Sequence, residues 1–279
     1  MLPPIADNFV AGEDAAAAID QVRACNEDGV AGICNLLGEH YEKRAPADAD
    51  TRAYVDLIRD LDDAGVDGCV SVKPSQIGLD VGEDAFRENL ATIVEAGQTR
   101  DRFVWIDMED HTTTDVTLDA FEHHARETGG DVGVCVQANL ERTREDVERL
   151  ADLPGKVRFV KGAYDEPPAI AHKGGDAVDR AYRELLEYAF REFDDGVAVG
   201  SHDPAMISLA RDLHDEYGTD YEVQMLMGVR ETAQRDLAAE GVRTYQYVPY
   251  GDKWFSYFYR RIRERKSNAL FALRAVIGR

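Results

Sequence analysis

Tyr257, Arg260, Arg261 and Glu264 stand at i, i+3, i+4 and i+7 in a segment, 247–266, dense in aromatics and arginine. On a helix that spacing puts all four on one side. Adjacent guanidiniums present planar forks of donors that one carboxylate can share, so the group suits a small anion. The plainer alternative is a solvated amphipathic helix with an Arg260–Glu264 pair, worth roughly 0.3–0.5 kcal/mol. From Gly251 to Arg279 there are eight Lys/Arg against two Asp/Glu, in a 279-residue chain of net charge −22. Pro249 and Gly251 punctuate the end of an apolar run, and Asp252 can cap the helix that follows.

Other chemistry-bearing side chains fall where apolar runs stop: Glu39, Lys73, Asp107 with Glu109, Gln137, Arg158 with Lys161, His202, Gln224 and Tyr247. A charge at the end of an apolar strand is costly without a partner. Lys73 is therefore a snorkelling surface lysine, a Schiff-base lysine or a cation that anchors substrate, and Lys161 has the same choices. Asp107, Glu109 and His111 alternate as metal ligands would, but no second HxxE, HxH or CxxC cluster completes a set, so no metal is expected. Neither GxGxxG after a strand nor GxxxxGK[ST] occurs. Ser201-His202-Asp203 looks like a triad, yet consecutive residues at a strand end point apart.

The elements that must carry these residues are legible as a repeat. Eight runs rich in Val and Ile (30–37, 68–73, 103–107, 132–137, 156–161, 197–202, 221–226 and 243–248) alternate with amphipathic stretches, after a lead helix around 13–27. The stretches are 51–64, 83–98, 115–128, 144–151, 176–193, 204–217 and 230–240, with the Tyr257 helix last. Continuous hydrophobicity fits parallel strands covered by helices. Eight such units predict an α/β fold, a (β/α)8 TIM-type barrel spanning 1–279 as a single domain, with its chemistry at the C-terminal ends of the strands.

Composition narrows the partners. The acidity is spread along the chain, and seven of the 32 basic residues are lysine, a balance that suits a cytosol at high salt. Nucleic acid is excluded as a partner, because the basic stretch is short. Cys25, Cys34, Cys69 and Cys135 show no CxxC spacing and imply a reducing compartment. The N-terminus lacks a signal-peptide pattern and no apolar run reaches 18 residues, so a soluble, cytoplasmic protein is expected.

Taken in order, the strand-end motifs resemble those of the proline dehydrogenase family: SVKPSQIGL (71–79), WIDMED (105–110), VQANL (136–140), VRFVKGAYDEP (157–167), GSHDP (200–204), YEVQMLMGVR (221–230) and YVPYGDKWFSYFYRRIRER (247–265). With FVAGED and NLLGEHYE earlier, the resemblance covers almost the whole chain and fits the compact, single-function bacterial-type members. It implies oxidation of L-proline to Δ1-pyrroline-5-carboxylate by hydride transfer to N5 of FAD. It also implies a quinone as electron acceptor, a transient membrane-surface contact at the inner face of the cell membrane, and a separate pyrroline-5-carboxylate dehydrogenase to take the product.

By that resemblance Arg260, Arg261 and Lys73 hold the proline carboxylate, Tyr247 and Tyr257 wall the ring, and Glu264 orders the arginine pair. Asp107 lies near the substrate amine and Lys73, and Tyr164 belongs to the active-site set. Toward the flavin, Arg158 reaches N5 and Gln137 the pyrimidine edge. Val160, Lys161 and Gly162 lie beside the ring and ribityl chain, and Ser201, His202 and Gln224 contact the remainder of FAD. Three residues depart from the family pattern: Pro74 where leucine is common, Asn139 where an aromatic is usual, and Asp165 where an apolar residue often packs on the flavin. Competing readings are a Schiff-base lyase using Lys73 or Lys161, a proline-binding protein without catalysis, and a flavin barrel acting on folate.

Overall fold

A computed structural model describes residues 8–254. Eight parallel strands close on themselves in sequence order: β1 (Ala31–Leu36), β2 (Gly68–Val72), β3 (Val104–Ile106), β4 (Val132–Gln137), β5 (Lys156–Val160), β6 (Val197–Gly200), β7 (Tyr221–Leu226) and β8 (Arg243–Tyr250). Closure is made by β8 against β1, with Ala31 opposite Tyr245 through Leu36 opposite Tyr250. The expected (β/α)8 barrel is the fold observed.

A lead helix, α1 (Ala15–Glu27), precedes the barrel, capped by Asp14, whose carboxylate accepts from the Ala17 amide at 3.0 Å. The outer layer is α2 (Arg44–Asp63), α3 (Glu83–Thr99), α4 (Thr114–Thr128), α5 (Thr143–Leu150), α6 (Gly175–Glu192), α7 (Pro204–Tyr217) and α8 (Glu231–Ala239). Each turns an apolar stripe inward, as Tyr54, Leu57, Ile58 and Leu61 do on α2. Helix α2 begins seven residues before the apolar pattern suggested. Its first turn holds Pro46, tolerated there because a first-turn amide has no helical acceptor to lose.

Two apolar layers result. The larger lies between strands and helices, and a smaller one fills the barrel interior with Ile33, Cys69, Trp105 and Ala198. Trp105 fits because the facing position on β4 is Gly133, where a Cβ would come within 2.5 Å of the indole. Strand β8 continues through Pro249, beyond its expected end at Val248. Pairing with β7 stops at Tyr247, so a residue without an N–H interrupts no ladder on that side. All four cysteines are buried and free, and burial pushes the Cys25 thiol up to about 11. Among the described residues no helix is long and apolar enough to cross a membrane.

Candidate active site

Side chains alternate across each strand, so every second residue of the ring points inward. At the C-terminal ends of the strands these inward residues line a cavity of about 260 Å³. Lys73 and Asp107 line it from the β2 and β3 side, Gln137 from β4, and Arg158 and Val160 from β5. His202 follows β6, Gln224 lies on β7 and Tyr247 on β8. Lys161, Gly162 and Tyr164, in the loop after β5, form its rim. A wider cleft opens at the opposite end of the barrel. There Lys156 pairs with Glu222 at 2.5 Å, Arg243 pairs with Asp67 at 2.6 Å, and carboxylates outnumber the basic groups, so this end does not suit an anionic substrate.

Asp107 is the hub. Its Oδ1 accepts from Ser71 Oγ at 2.8 Å and pairs with the Arg158 guanidinium, while Oδ2 accepts from the Tyr247 hydroxyl at 2.7 Å. Lys73 Nζ stands 3.6 Å from the same carboxylate. Burial alone would raise the Asp107 pKa, but Arg158 and then Lys73 hold it below the ordinary aspartate value. Burial likewise disfavours the Arg158 cation, and Asp107 beside it more than offsets that, so its pKa is raised. Burial, and next the Asp107 charge, push the Tyr247 phenol well above its usual value, leaving it a neutral donor.

Three further contacts fix the cations. Lys73 Nζ donates to Asn35 Oδ1 at 3.1 Å, and Asn35 in turn donates to the Ser71 carbonyl at 2.9 Å. Arg158 donates to Gln224 Oε1 at 3.0 Å and lies 4.8 Å over the Trp105 ring, a cation–π contact that supports the guanidinium from below. Gln137 is oriented by donating to the Glu109 carbonyl at 2.8 Å.

The loop after β5 is tied down on both flanks. Lys161 Nζ is held by Asp179 at 2.5 Å and Asp203 at 2.8 Å. Glu166 is buried and clamps His111, accepting from its backbone N–H at 3.0 Å and lying 2.6 Å from Nδ1. Gly162 has φ +107°, and a Cβ there would meet Asn139 Oδ1 at 2.1 Å, so this turn requires glycine. Asp165 is fully exposed and pairs with Lys173 at 3.0 Å, away from the cavity.

Of the residues singled out from the sequence, Ser201 is not among those lining the cavity. Strand parity explains this: Gly200 and His202 face inward, whereas Ser201 faces the helices and its Oγ accepts from the Asp203 amide at 3.2 Å. The triad-like run is thereby dispersed, since Asp203 caps α7 and His202 Nε2 accepts from the Leu226 amide at 2.8 Å. Asp107, Glu109 and His111 also part company, Glu109 accepting from the Ser75 amide and hydroxyl at 2.7 Å each. Tyr257, Arg260, Arg261 and Glu264 lie outside the described residues. Sequence reasoning passed over Asn35, Ser71 and Glu166. The first two sit at inward positions of β1 and β2 and were readable from strand parity; Glu166 carries no local signal.

The comparisons agree with the geometry. The family model described as proline dehydrogenase matches residues 18–274. A proline dehydrogenase from Deinococcus radiodurans is 38% identical, over 98% of this chain and 90% of its own length. Proline dehydrogenase 1 from Bacillus subtilis (strain 168) is 33% identical, with the same 98% and 90% coverage. Among solved structures, proline utilization A (PutA) from Bdellovibrio bacteriovorus superposes with a TM-score of 0.84 at 22% identity. That likeness concerns the fold, and the chain spans 95% of its own length but 33% of the PutA chain. With a family model matching most of its length and full-length relatives above 30% identity, the chain belongs to the proline dehydrogenase family, oxidoreductases that act on proline.

Proposed function

We propose that the chain, acting as one domain over 1–279, oxidises L-proline to Δ1-pyrroline-5-carboxylate with FAD as its cofactor and a quinone as the final electron acceptor. The observation that carries this reading is the convergence of Lys73, Asp107, Arg158 and Tyr247 on one cavity at the C-terminal face of the barrel.

The residues present fit a flavin. A flat heteroaromatic ring with a polar rim needs an apolar wall and donors at its edge. Val160, Met108 and Leu226 supply apolar surface, while Arg158, Gln137 and Gln224 supply polar groups. Gly162 leaves the rim without a side chain. Gln137, Arg158, Val160, Lys161, Gly162, His202 and Gln224 would hold the group. When bound, it supplies the hydride acceptor at its N5.

Oxidation takes a hydride from proline C5 and a proton from the amine, leaving a C5=N double bond. Lys73, joined by Arg260 and Arg261, would hold the carboxylate, and Tyr247 and Tyr257 would flank the ring. Fixing both ends of a small substrate removes much of the entropic barrier, since well-oriented intramolecular systems reach effective molarities of about 10⁵–10⁸ M. Asp107 favours the charged form of Arg158 in a buried setting, lies beside Lys73 and stands near the expected place of the substrate amine. Delivery to a quinone requires a transient encounter with a membrane surface, so the protein is placed in the cytoplasm with access to the membrane's inner face. A separate dehydrogenase would consume the product.

The test is an absorption spectrum of protein purified in high salt, before and after anaerobic addition of proline. Flavin bands at about 450 nm that bleach on proline support cofactor and reaction together. A colourless protein that FAD cannot reconstitute overturns the proposal.

A further inference from the structure

The charges that line the cavity do not cancel. Among the described residues, Lys161 at the rim has two carboxylates at ion-pair distance, Asp179 and Asp203, whereas Lys73 and Arg158 deeper in share the single carboxylate of Asp107. Glu109, the next buried carboxylate, acts on Lys73 from beyond ion-pair distance: both its oxygens accept from Ser75 and it does not line the cavity. The position that could have supplied a second anion is Asn35. It is wholly buried, and its Oδ1 lies 3.1 Å from Lys73 Nζ. Its orientation is settled by its amide nitrogen, which donates to the Ser71 carbonyl at 2.9 Å and lies 3.3 Å from the Tyr54 hydroxyl. The oxygen is therefore the atom turned to the lysine. An aspartate of the same shape would pair with Lys73 and bring the cluster to neutrality.

We propose that Asn35 is a positioning residue with an electrostatic function. It aligns Lys73 through a neutral acceptor, and so leaves Lys73 and Arg158 with one carboxylate between them at ion-pair distance, a local positive excess among the described residues that sets the affinity for the anionic end of the substrate. Inside a water-poor site an unmatched charge acts over several ångströms with little screening, so one carboxylate added beside Lys73 opposes an incoming anion strongly. The inference rests on the reading that this cavity takes an amino-acid carboxylate.

The experiment measures competitive inhibition of the flavin-loaded enzyme by cyclopentanecarboxylate and by its uncharged isostere, cyclopentanecarboxamide. It uses the wild type, Asn35→Asp and Asn35→Ser. Aspartate keeps the shape and the acceptor facing Lys73, changes the charge and gives up the donor to the Ser71 carbonyl; serine gives up that donor as well, shortens the contact and keeps neutrality. Asn35→Asp should raise the inhibition constant of the carboxylate at least tenfold and that of the amide less than threefold. Asn35→Ser should shift the carboxylate by less than threefold. The inference is overturned if Asn35→Asp leaves the carboxylate unchanged, if both ligands weaken equally, or if serine weakens the carboxylate as much as aspartate does. A wild type indifferent to the carboxylate would instead bring down the underlying reading of the cavity, and this inference with it.

Discussion

Tyr247 donates a hydrogen bond to Asp107 Oδ2 at 2.7 Å, joining β8 to β3 across the two strands between them. The same carboxylate pairs with Arg158 of β5 and stands 3.6 Å from Lys73 at the end of β2. Four walls of the barrel are thus bound through one buried anion. Removing it leaves two buried cations without their counter-charge, and breaking a buried pair in this way costs about 3–5 kcal/mol. Asp107→Asn keeps the shape and removes the charge. It should lower the denaturation free energy by that amount, measured by urea unfolding at high salt. A loss below about 1 kcal/mol, no more than one hydrogen bond, would refute the hub.

The same carboxylate fixes the sign of a pH dependence. Its pKa in the folded protein lies below the ordinary value of 3.8, so folding favours the ionised form. The stability it contributes is fully present above the ordinary value and is lost as pH falls through the lower, folded one. The gap between wild type and Asp107→Asn should therefore be flat from neutral pH down to mildly acidic pH, and then close. A gap that widens on acidification would contradict the charge assignment.

Much of this site was legible because a polar residue that ends an apolar run is conspicuous. Lys73, Gln137, Lys161 and His202 stand out in that way, and the eight runs fixed both the fold and the face. The lost detail has physical reasons. Asn35 lies inside a run, so its polarity was absorbed into a strand whose apolar neighbours dominate the pattern. Ser201 was assigned toward the flavin beside His202 by the family resemblance, whereas strand alternation, legible in the sequence, sends the two to opposite faces. The start of α2 was hidden by its proline, because a breaker inside a helix and a permitted first-turn residue look alike. The Glu166–His111 clamp joins residues 55 apart, and no local period encodes a contact between two loops.

That clamp carries a prediction of its own. Glu166 holds the loop bearing Gly162 and Tyr164 against the start of the segment leading into α4, and it does not line the cavity. Glu166→Ala removes both bonds to His111 while leaving every proposed flavin contact in place. Flavin release, followed by fluorescence after dilution, should quicken about tenfold, as expected for losing about 1.4 kcal/mol of loop restraint. Glu166→Gln, which keeps an acceptor for the His111 amide, should fall between. Equal release rates in all three proteins would mean that the loop is held by Lys161 and Lys173 alone.

The surface makes a last prediction, in which two electrostatic effects oppose each other. Exposed pairs such as Arg44–Glu88 at 2.6 Å and Arg149–Asp119 at 2.7 Å weaken with salt, but each is worth only about 0–1 kcal/mol. Against them stands a net charge of −22, spread over a molecule small enough for its carboxylates to repel one another at low salt. Raising the salt from about 0.1 to about 1 M shortens the screening length from about 10 to about 3 Å, which removes most of that repulsion. The net repulsion should win, so the melting temperature should rise steadily over this range, and by similar amounts in KCl and NaCl if screening is the cause. A melting temperature that falls with salt would mean that the paired charges outweigh the unpaired ones, and that the acidity is not an adaptation to a saline cytosol.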